Sequence, residues 1–325
     1  MKNVVREFAL ICALAMIFPP TLSGQAEYTI KFGHIANDQN VWNKAALKFK
    51  EVVEKNSNGK IEVKVYPNAQ LGKEMDVING IQLGTVDMTI TGESLQNWVP
   101  EAGLIAVPYA IRDLDHLKKV AGGEIGKFIE KEILKRINLR SIAWLTRGPR
   151  HLTSNRPIKH PNDLRGMILR VPNVPLYVAV WKALGAKPTP MDFSEVFTSL
   201  QQRTIHGQEN PFALIKSSGF YEVQDFCNLT GHVISWIYVV IGENKLKSLP
   251  LALQEVVLDA GKEMQHYQHK LFEENEKKLK KELVDKGMTF VETDQEAFRS
   301  QAKKAVIKSL TREQFNLYTQ IISVQ

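Results

Sequence analysis

Residues 28–67 read YTIKFGHIANDQNVWNKAALKFKEVVEKNSNGKIEVKVYP, and this stretch decides the fold class. Apolar and polar residues alternate over 28–35 and again over 61–65, which predicts two strands. Between them, apolar residues recur at helical spacing from Val41 to Lys55, and Asn58-Gly59 ends the helix. Strand, helix and strand in this order make a βαβ unit, the building block of a parallel sheet.

The alternation of helices and strands continues along the chain. A helix predicted over 74–83 precedes the strand VDMTIT, and helices around 114–120 and 125–135 precede a strand near 139–145. Residues 150–210 repeat the pattern with units of their own. We therefore expect an α/β protein with mixed, mainly parallel sheets and a second lobe in this later region.

A long helix is predicted near the C-terminal end. Ser248 has the character of an N-cap, Pro250 stands early in the first turn, and Gly287 offers a stop. About 37 helical residues reach roughly 55 Å, so we expect this helix to run across both lobes. With no Pro/Gly/Ser-rich linker between the halves, the lobes are predicted to be interleaved. The predicted boundaries are 26–148 plus 236–275 for lobe I, and 149–235 plus 276–325 for lobe II.

The N-terminus has the pattern of a secretory signal peptide. Lys2 and Arg6 precede an apolar run over 8–18, which is shorter than the roughly 20 residues that span a bilayer. We predict that residues 1–25 are removed, with cleavage near Gly24 to Ala26, so that Cys12 is lost and Cys227 remains. A single cysteine forms no internal disulfide, so we expect a secreted, periplasmic protein that is stabilised by its core.

Charge and motifs argue against several function classes. The formal net charge is +7, but basic and acidic residues alternate along most of the chain, so nucleic-acid binding is not predicted. The sequence contains no HExxH, GxSxG or GxxxxGK[ST] motif. We therefore expect neither an enzyme nor a metal or cofactor site.

Two arginines point to anion binding. Arg170 ends the apolar segment 167–169 and is followed by Val171-Pro172, so we expect it to be half-buried and to need an anion, either Glu209 or a ligand. Arg150, in RGPRHLTSN, also stands beside a predicted strand, at the mouth of the second lobe. The planar fork of donors on arginine suits a two-point grip on a carboxylate.

Two further residues are candidates with a structural alternative. Asn210, in the segment QENP, is interpreted as a pocket-edge amide, although such a tetrapeptide is equally compatible with an ordinary loop. Phe193, in PMDFSEVF, is positioned to stack on a sugar or acid face, or to act as a hydrophobic staple at a helix entrance.

These segments together resemble a known family. The similarity covers essentially the whole mature chain and rests on YTIKFGH (28–34), YPNAQLG (66–72), PEAGLIAVPYAI (100–111), RHLTSNRPIKHPNDLRGMILRVPN (150–173), LGAKPTPMDFSEVFTSLQ (184–201), HGQENP (206–211) and FYEVQDF (220–226). In this order they resemble the DctP-like solute-binding proteins of TRAP (tripartite ATP-independent periplasmic) transporters. The resemblance implies a two-lobed periplasmic binding protein, joined by strands and a long helix, that closes over an organic acid and passes it to a membrane permease.

The resemblance also implies roles for single residues. It makes Arg170 the carboxylate clamp, with the other pocket residues being Arg150, Asn210, Phe193, Asn173, His34, Glu74 and Glu93. Glu209 and His232 would form a polar cluster behind the clamp. A monomer without a cofactor is expected.

The ligand itself is the least determined feature. Ile35 stands where sialic-acid binders of the family carry asparagine, and the pairing of His34 with Glu74 resembles hexuronate binders, so glucuronate or galacturonate is the first prediction. The alternatives within binding proteins are sialic acid and a C4-dicarboxylate or keto acid. A periplasmic enzyme acting on a sugar acid, with His34 and Glu74 or Glu93 as acid and base, is the alternative from another class. A sensory instead of a transport role is also left open.

Overall fold

A computed structural model describes residues 26–325, and the predicted signal peptide with Cys12 lies outside this part of the chain. The described strands are β1 (Tyr28–Gly33), β2 (Ile61–Tyr66), β3 (Met88–Thr91), β4 (Leu139–Ser154), β5 (Ile168–Val171), β6 (Lys187–Pro190), β7 (Gly207–Pro211), β8 (Phe226–Gly242) and β9 (Thr289–Val291). The described α-helices are α1 (Val41–Asn56), α2 (Glu74–Leu83), α3 (Leu114–Gly122), α4 (Glu124–Ile137), α5 (Pro175–Ala183), α6 (Val196–Gln201), α7 (Phe212–Ser217), α8 (Glu243–Lys247), α9 (Leu251–Asp285), α10 (Gln295–Ser309) and α11 (Arg312–Ser323).

The described strands form one mixed sheet in the order β2-β1-β3-β8-β4-β7-β5-β6, with β9 paired to β8. β1 pairs in parallel with β2 and β3, and β5 pairs in parallel with β6 and β7. The pairings of β3 with β8, β4 with β8 and β4 with β7 are antiparallel. Helices alternate with strands along the chain, so the predicted α/β class is confirmed.

The first βαβ unit forms as its sequence predicts. The side chain of Asn40 accepts a hydrogen bond from the Trp42 main-chain N–H and so caps the start of α1. Along α1 the apolar residues that recur at helical spacing, including Phe49 and Val53, are buried. At the end of α2, Gly84 adopts the left-handed conformation that lets the chain turn toward β3.

β4 and β8 connect the two parts of the sheet. The end of β8 pairs with β3 over 238–241, whereas its beginning pairs with the end of β4 over 226–228. The sequence predicted a strand near 139–145, but the strand extends over residues 139–154, interrupted by a bulge around Gly148-Pro149. A proline donates no ladder hydrogen bond, which accounts for the bulge at this point.

The long helix α9 packs against two different hydrophobic cores. Leu253 and Met264, in its first half, are buried in the core around α1 and β1–β3. Leu279 and Leu283, in its second half, lie in the core around α6 and α7. The predicted helix that spans both lobes is therefore confirmed.

The start of α9 and the position of α11 differ from expectation. Ser248 is not its N-cap: Pro250 occupies that position, and Ser248 ends the short helix α8. α11 also contacts elements outside its predicted lobe, since Gln314 Nε2 donates to the carbonyl oxygen of Pro100 and the ring of His116 bonds the carbonyl oxygen of Ile321. The lobe boundaries stay a prediction, and these contacts favour moving 312–323 to lobe I.

Candidate functional site

A small cavity lies where the two predicted lobes meet. Its volume is about 30 Å³, which suffices for one or two water molecules. Six of the predicted site residues line it: Glu74, Glu93, Arg150, Arg170, Phe193 and Asn210. A wider outer cavity of about 300 Å³ shares Ile35 and Phe193 with it and leads toward the surface. A six-carbon acid therefore fits the inner cavity only if the lobes or the side chains move apart.

Three neighbouring strands supply the polar groups of the second lobe. Arg150 lies on β4, Asn210 on β7 and Arg170 on β5, and these strands are adjacent in the sheet. β4 and β7 pair Arg150 with Pro211 and His151 with Asn210. Sequence-distant residues thus reach one place because the sheet order brings their strands together.

Arg150 belongs to a fully paired buried cluster. Its Nε lies 2.5 Å and its Nη2 2.7 Å from the two carboxylate oxygens of Glu209. The Nε2 of His232 lies 2.8 Å from Glu209 Oε2. Burial alone would raise the pKa of Glu209, but Arg150 and His232 outweigh it and lower this pKa to about 2. Glu209 is therefore an anion that holds Arg150 in place, and it is not among the residues that line the cavity.

Arg147 is a site residue that the sequence analysis missed. Its Nη2 lies 2.7 Å from Glu93 Oε2, and its Nε lies 3.1 Å from the hydroxyl of Ser235. Glu93 also lies 3.3 Å from Arg150 Nη1. Burial favours the neutral form of Glu93, but the two arginines outweigh burial and lower its pKa. Glu93 is thus an ionised link between the first lobe and β4.

Arg170 is buried without an ion-pair partner. It is 3% exposed, and its Nε and Nη2 donate to one acceptor, the main-chain oxygen of Met191, at 2.9 and 2.7 Å. Among residues 26–325 no carboxylate forms an ion pair with it. The ring of Phe193 lies 5.9 Å from its guanidinium carbon. Burial lowers the pKa of Arg170 to about 10 and outweighs the opposing charges of Glu209, Glu74 and Glu93, so the group is still a cation at neutral pH.

Glu74 faces Arg170 from the first lobe. Its two carboxyl oxygens accept hydrogen bonds from the hydroxyls of Thr91, at 2.7 Å, and Ser94, at 3.0 Å. Burial raises its pKa despite these donors, and the nearby charge of Glu93 acts in the same direction. Glu74 therefore offers oxygens suited to the hydroxyl groups of a ligand.

Two predicted residues do not line the cavity. His34 is buried with its Nε2 3.2 Å from Asn43 Oδ1, and burial lowers its pKa to about 4. Asn173 offers its main-chain oxygen to Asn97 across the cleft, at 2.8 Å. Their roles in binding stay a prediction. Besides Arg147, the lining residues that the sequence analysis did not name as contacts are Ile35, Trp42, Gly92, Ser94, Pro172 and Leu214.

The described residues contain no group of three or more His, Cys, Asp or Glu side chains arranged to hold a metal ion. In the same residues, no helix combines the length and apolar character needed to cross a membrane.

The chain is similar to known proteins over most of its length. The model of the bacterial extracellular solute-binding proteins, family 7 (DctP), matches residues 32–314. A solute-binding protein of Roseobacter denitrificans is 55% identical over 287 residues, 88% of each chain. The 2,3-diketo-L-gulonate-binding periplasmic protein of Escherichia coli K12 is 33% identical over 291 residues, 89% of this chain and 88% of that protein.

Solved structures show the same likeness. The TRAP periplasmic solute-binding protein of R. denitrificans, with bound L-galactonate, has a TM-score of 0.90 and 53% identity and covers 92% of this chain and 100% of its own. The corresponding Pseudomonas putida F1 protein, with bound D-glucuronate, has a TM-score of 0.87 and 29% identity and covers 91% of this chain and 97% of its own. The two-lobed architecture predicted from the sequence is thereby confirmed.

Proposed function

The chain belongs to the DctP family of TRAP solute-binding proteins, family 7 of the bacterial extracellular solute-binding proteins, and we propose that it binds a six-carbon monocarboxylic sugar acid in the periplasm and delivers it to a membrane permease. An aldonate of the L-galactonate type is the preferred ligand, because the 53% identical R. denitrificans protein holds that acid. A hexuronate, the first prediction from the sequence, is the second candidate, since the P. putida relative holds D-glucuronate.

The observation that carries this proposal is the unpaired cation of Arg170. Arg147 and Arg150 are matched by Glu93 and Glu209, whereas Arg170 has only a carbonyl oxygen and the ring of Phe193. A buried arginine without an ion-pair partner favours binding of an anion, and a single ligand carboxylate supplies one. A second free cation would have favoured a dicarboxylate.

The remaining lining groups suit the hydroxyls of a sugar acid. Asn210 and Ser94 are buried, and both line the cavity. We propose that these two, with Glu74 and Glu93, bond the hydroxyls, because a buried hydroxyl without a partner costs affinity. In this proposal the lobes close over the acid as a monomeric, non-enzymatic receptor, and the closed form is the one that the permease recognises.

A thermal-shift screen tests the ligand class. The mature chain is unfolded and refolded to remove bound ligand, then heated with L-galactonate, D-glucuronate, D-galacturonate, sialic acid or succinate. A ligand at 100 times its Kd stabilises the folded state by about 2.7 kcal/mol. We expect L-galactonate to raise Tm in the wild type and in the control Arg156→Ala, an exposed arginine of the second lobe, but not in Arg170→Ala.

Other outcomes contradict parts of the proposal. If succinate alone raises Tm, the ligand is a dicarboxylate. If Arg170→Ala responds like the wild type, Arg170 is not the clamp. Recovery of a chemically altered acid after incubation would support the enzyme alternative. Deletion of the gene from its host should abolish uptake of the labelled acid at low concentration, whereas unchanged uptake would favour a sensory role.

A further inference from the structure

An ion-pair cluster joins the two predicted lobes outside the cavity. The Nζ of Lys73 lies 3.0 Å from Asp192 Oδ2 and 2.5 Å from Glu195 Oε1. The side chain of Lys73 is 43% exposed, and those of Asp192 and Glu195 are 23% and 48% exposed. We call these three residues the rim latch. Solvent reaches all of them, so they are available to form and break contacts as the cleft moves.

Both ends of the rim latch are next in sequence to residues of the binding site. Lys73 directly precedes Glu74, which lines the cavity and starts α2. Asp192 stands between Met191, whose main-chain oxygen accepts both hydrogen bonds of Arg170, and Phe193, whose ring covers the same guanidinium. A movement of either lobe that changes the site therefore also changes the rim latch.

We infer that the rim latch stabilises the closed cleft and so raises the affinity for the bound acid, although none of its three residues lines the ligand cavity. This inference rests on the proposed function, because it concerns the affinity of the same site. Lys73 is a positioning residue in this scheme.

The physical argument is a population shift. Lys73 belongs to the predicted first lobe and its two partners to the second, so opening of the cleft separates them. An interaction that exists only in the closed form favours that form. When the ligand-free chain is mostly open, any ligand held by the closed form gains the same factor in affinity. Exposed ion pairs contribute little individually, so two of them together correspond to a factor of about three to ten in Kd.

The experiment measures L-galactonate binding to the full mature chain by titration calorimetry and stopped flow. We expect Lys73→Gln to raise Kd by about three- to tenfold, through a faster koff and an unchanged kon, because the latch forms after the acid has entered. Lys73→Arg keeps the charge and should retain most of the affinity. Lys48→Gln is the matched control, since Lys48 forms an exposed ion pair with Glu51 within α1 and spans no cleft.

A double-mutant cycle with Asp192→Asn separates the latch from other effects of the substitutions. Asp192 makes no side-chain capping bond to the helical turn that follows it, so this change removes its charge and leaves the local fold intact. We expect the two effects on Kd to be clearly less than additive, because both variants break the same contact. The effect of Lys73→Gln should also shrink at high salt, where exposed charges are screened.

The outcomes distinguish this inference from the function on which it rests. If the wild type binds L-galactonate and Lys73→Gln binds it with the same Kd, or if the effects of Lys73→Gln and Asp192→Asn are fully additive, the rim latch is rejected and the binding function stands. If the wild type binds no sugar acid, the proposed function fails and the rim latch fails with it.

Discussion

The ring of Phe193 lies 5.9 Å from the guanidinium carbon of Arg170, a cation that is 3% exposed and that donates two hydrogen bonds to the main-chain oxygen of Met191. An aromatic face and a carbonyl oxygen compensate a buried charge only in part. The ligand-free protein therefore carries a destabilising group at the place where the proposed ligand binds.

This relationship predicts opposite effects of one substitution on stability and on binding. Arg170→Met keeps much of the side-chain volume and removes the buried charge, so we expect it to raise the free energy of unfolding of the ligand-free chain by about 1–3 kcal/mol. The same variant should lose measurable binding of the acid. Urea unfolding and calorimetry check the two expectations, and a less stable ligand-free Arg170→Met would show that the charge of Arg170 stabilises the ligand-free protein.

Substitution of Arg150, in contrast, should lower the free energy of unfolding. Arg150→Met leaves Glu209 buried beside His232 without its cation, and breaking a buried ion pair typically costs about 3–5 kcal/mol. We expect this variant to unfold at markedly lower urea concentration than the wild type. A Glu209→Gln variant should also be destabilised, because Arg150 then lacks its principal counter-charge. Wild-type stability of both variants would refute the assignment of Glu209 as an ionised support.

The buried carboxyl group of Glu276 should make the stability of the protein depend on pH. It lies on α9 against the bulge of β4, where a Cβ on Gly148 would come within 2.6 Å of its Oε1. Burial raises its pKa from 4.5 to about 7. The unfolded chain releases this proton at lower pH than the folded chain does, so the free energy of unfolding should fall as pH rises from 4.5 to about 7. The total loss is up to about 3 kcal/mol.

Glu276→Gln removes this titration. We expect the variant to be more stable than the wild type at pH 8, to differ little at pH 4.5 and to show a smaller decline between the two. Urea unfolding at several pH values measures the effect, with the exposed neighbour Glu274→Gln as control. Parallel pH profiles of wild type and Glu276→Gln would contradict the assignment.

Gly261 tests the packing of the long helix. In an exposed helix, replacing glycine by alanine usually stabilises by roughly 0.5–1 kcal/mol. At Gly261, however, the added Cβ would lie 2.6 Å from the main-chain oxygen of Ile142 on β4. We therefore expect Gly261→Ala to destabilise the chain by about 1–3 kcal/mol. As a control, Leu251→Ala, at an exposed position of the same helix, should leave the free energy of unfolding nearly unchanged. A Gly261→Ala variant more stable than the wild type would show that α9 can move away from β4 at little cost.

The spacing of apolar residues predicted most helices and strands, because each of these elements buries one face. Phe49 and Val53 on α1 lie inside, as their helical spacing requires. The boundaries of β4 were harder, since Pro149 indicates an end of pairing, whereas the strand continues through a bulge.

The same bulge explains why Arg147 was missed. Residues three apart on a regular strand point to opposite faces, so a strand that contains Arg150 at the cavity would place Arg147 away from it. The ladder pairs Arg147 with Ser235 and Arg150 with Val233, so two residues of β4, at 148 and 149, stand opposite one of β8, at 234. The extra residue brings both guanidinium groups to the same side. The signal was present as Gly-Pro between two arginines, but its effect on side-chain direction depends on the partner strand.

The path of the chain through β4 and β8 has a consequence for how the protein can be divided. β3 pairs with residues 238–241 of β8, which lie about 150 residues later in the sequence. The helix α9, which follows β8, contributes buried residues to both cores. A fragment that ends after β7 would leave β3 with an open edge and its core without α9, so neither half is a viable product of truncation or of gene splitting. Calorimetric unfolding of the intact chain should accordingly show one transition, with both halves melting together.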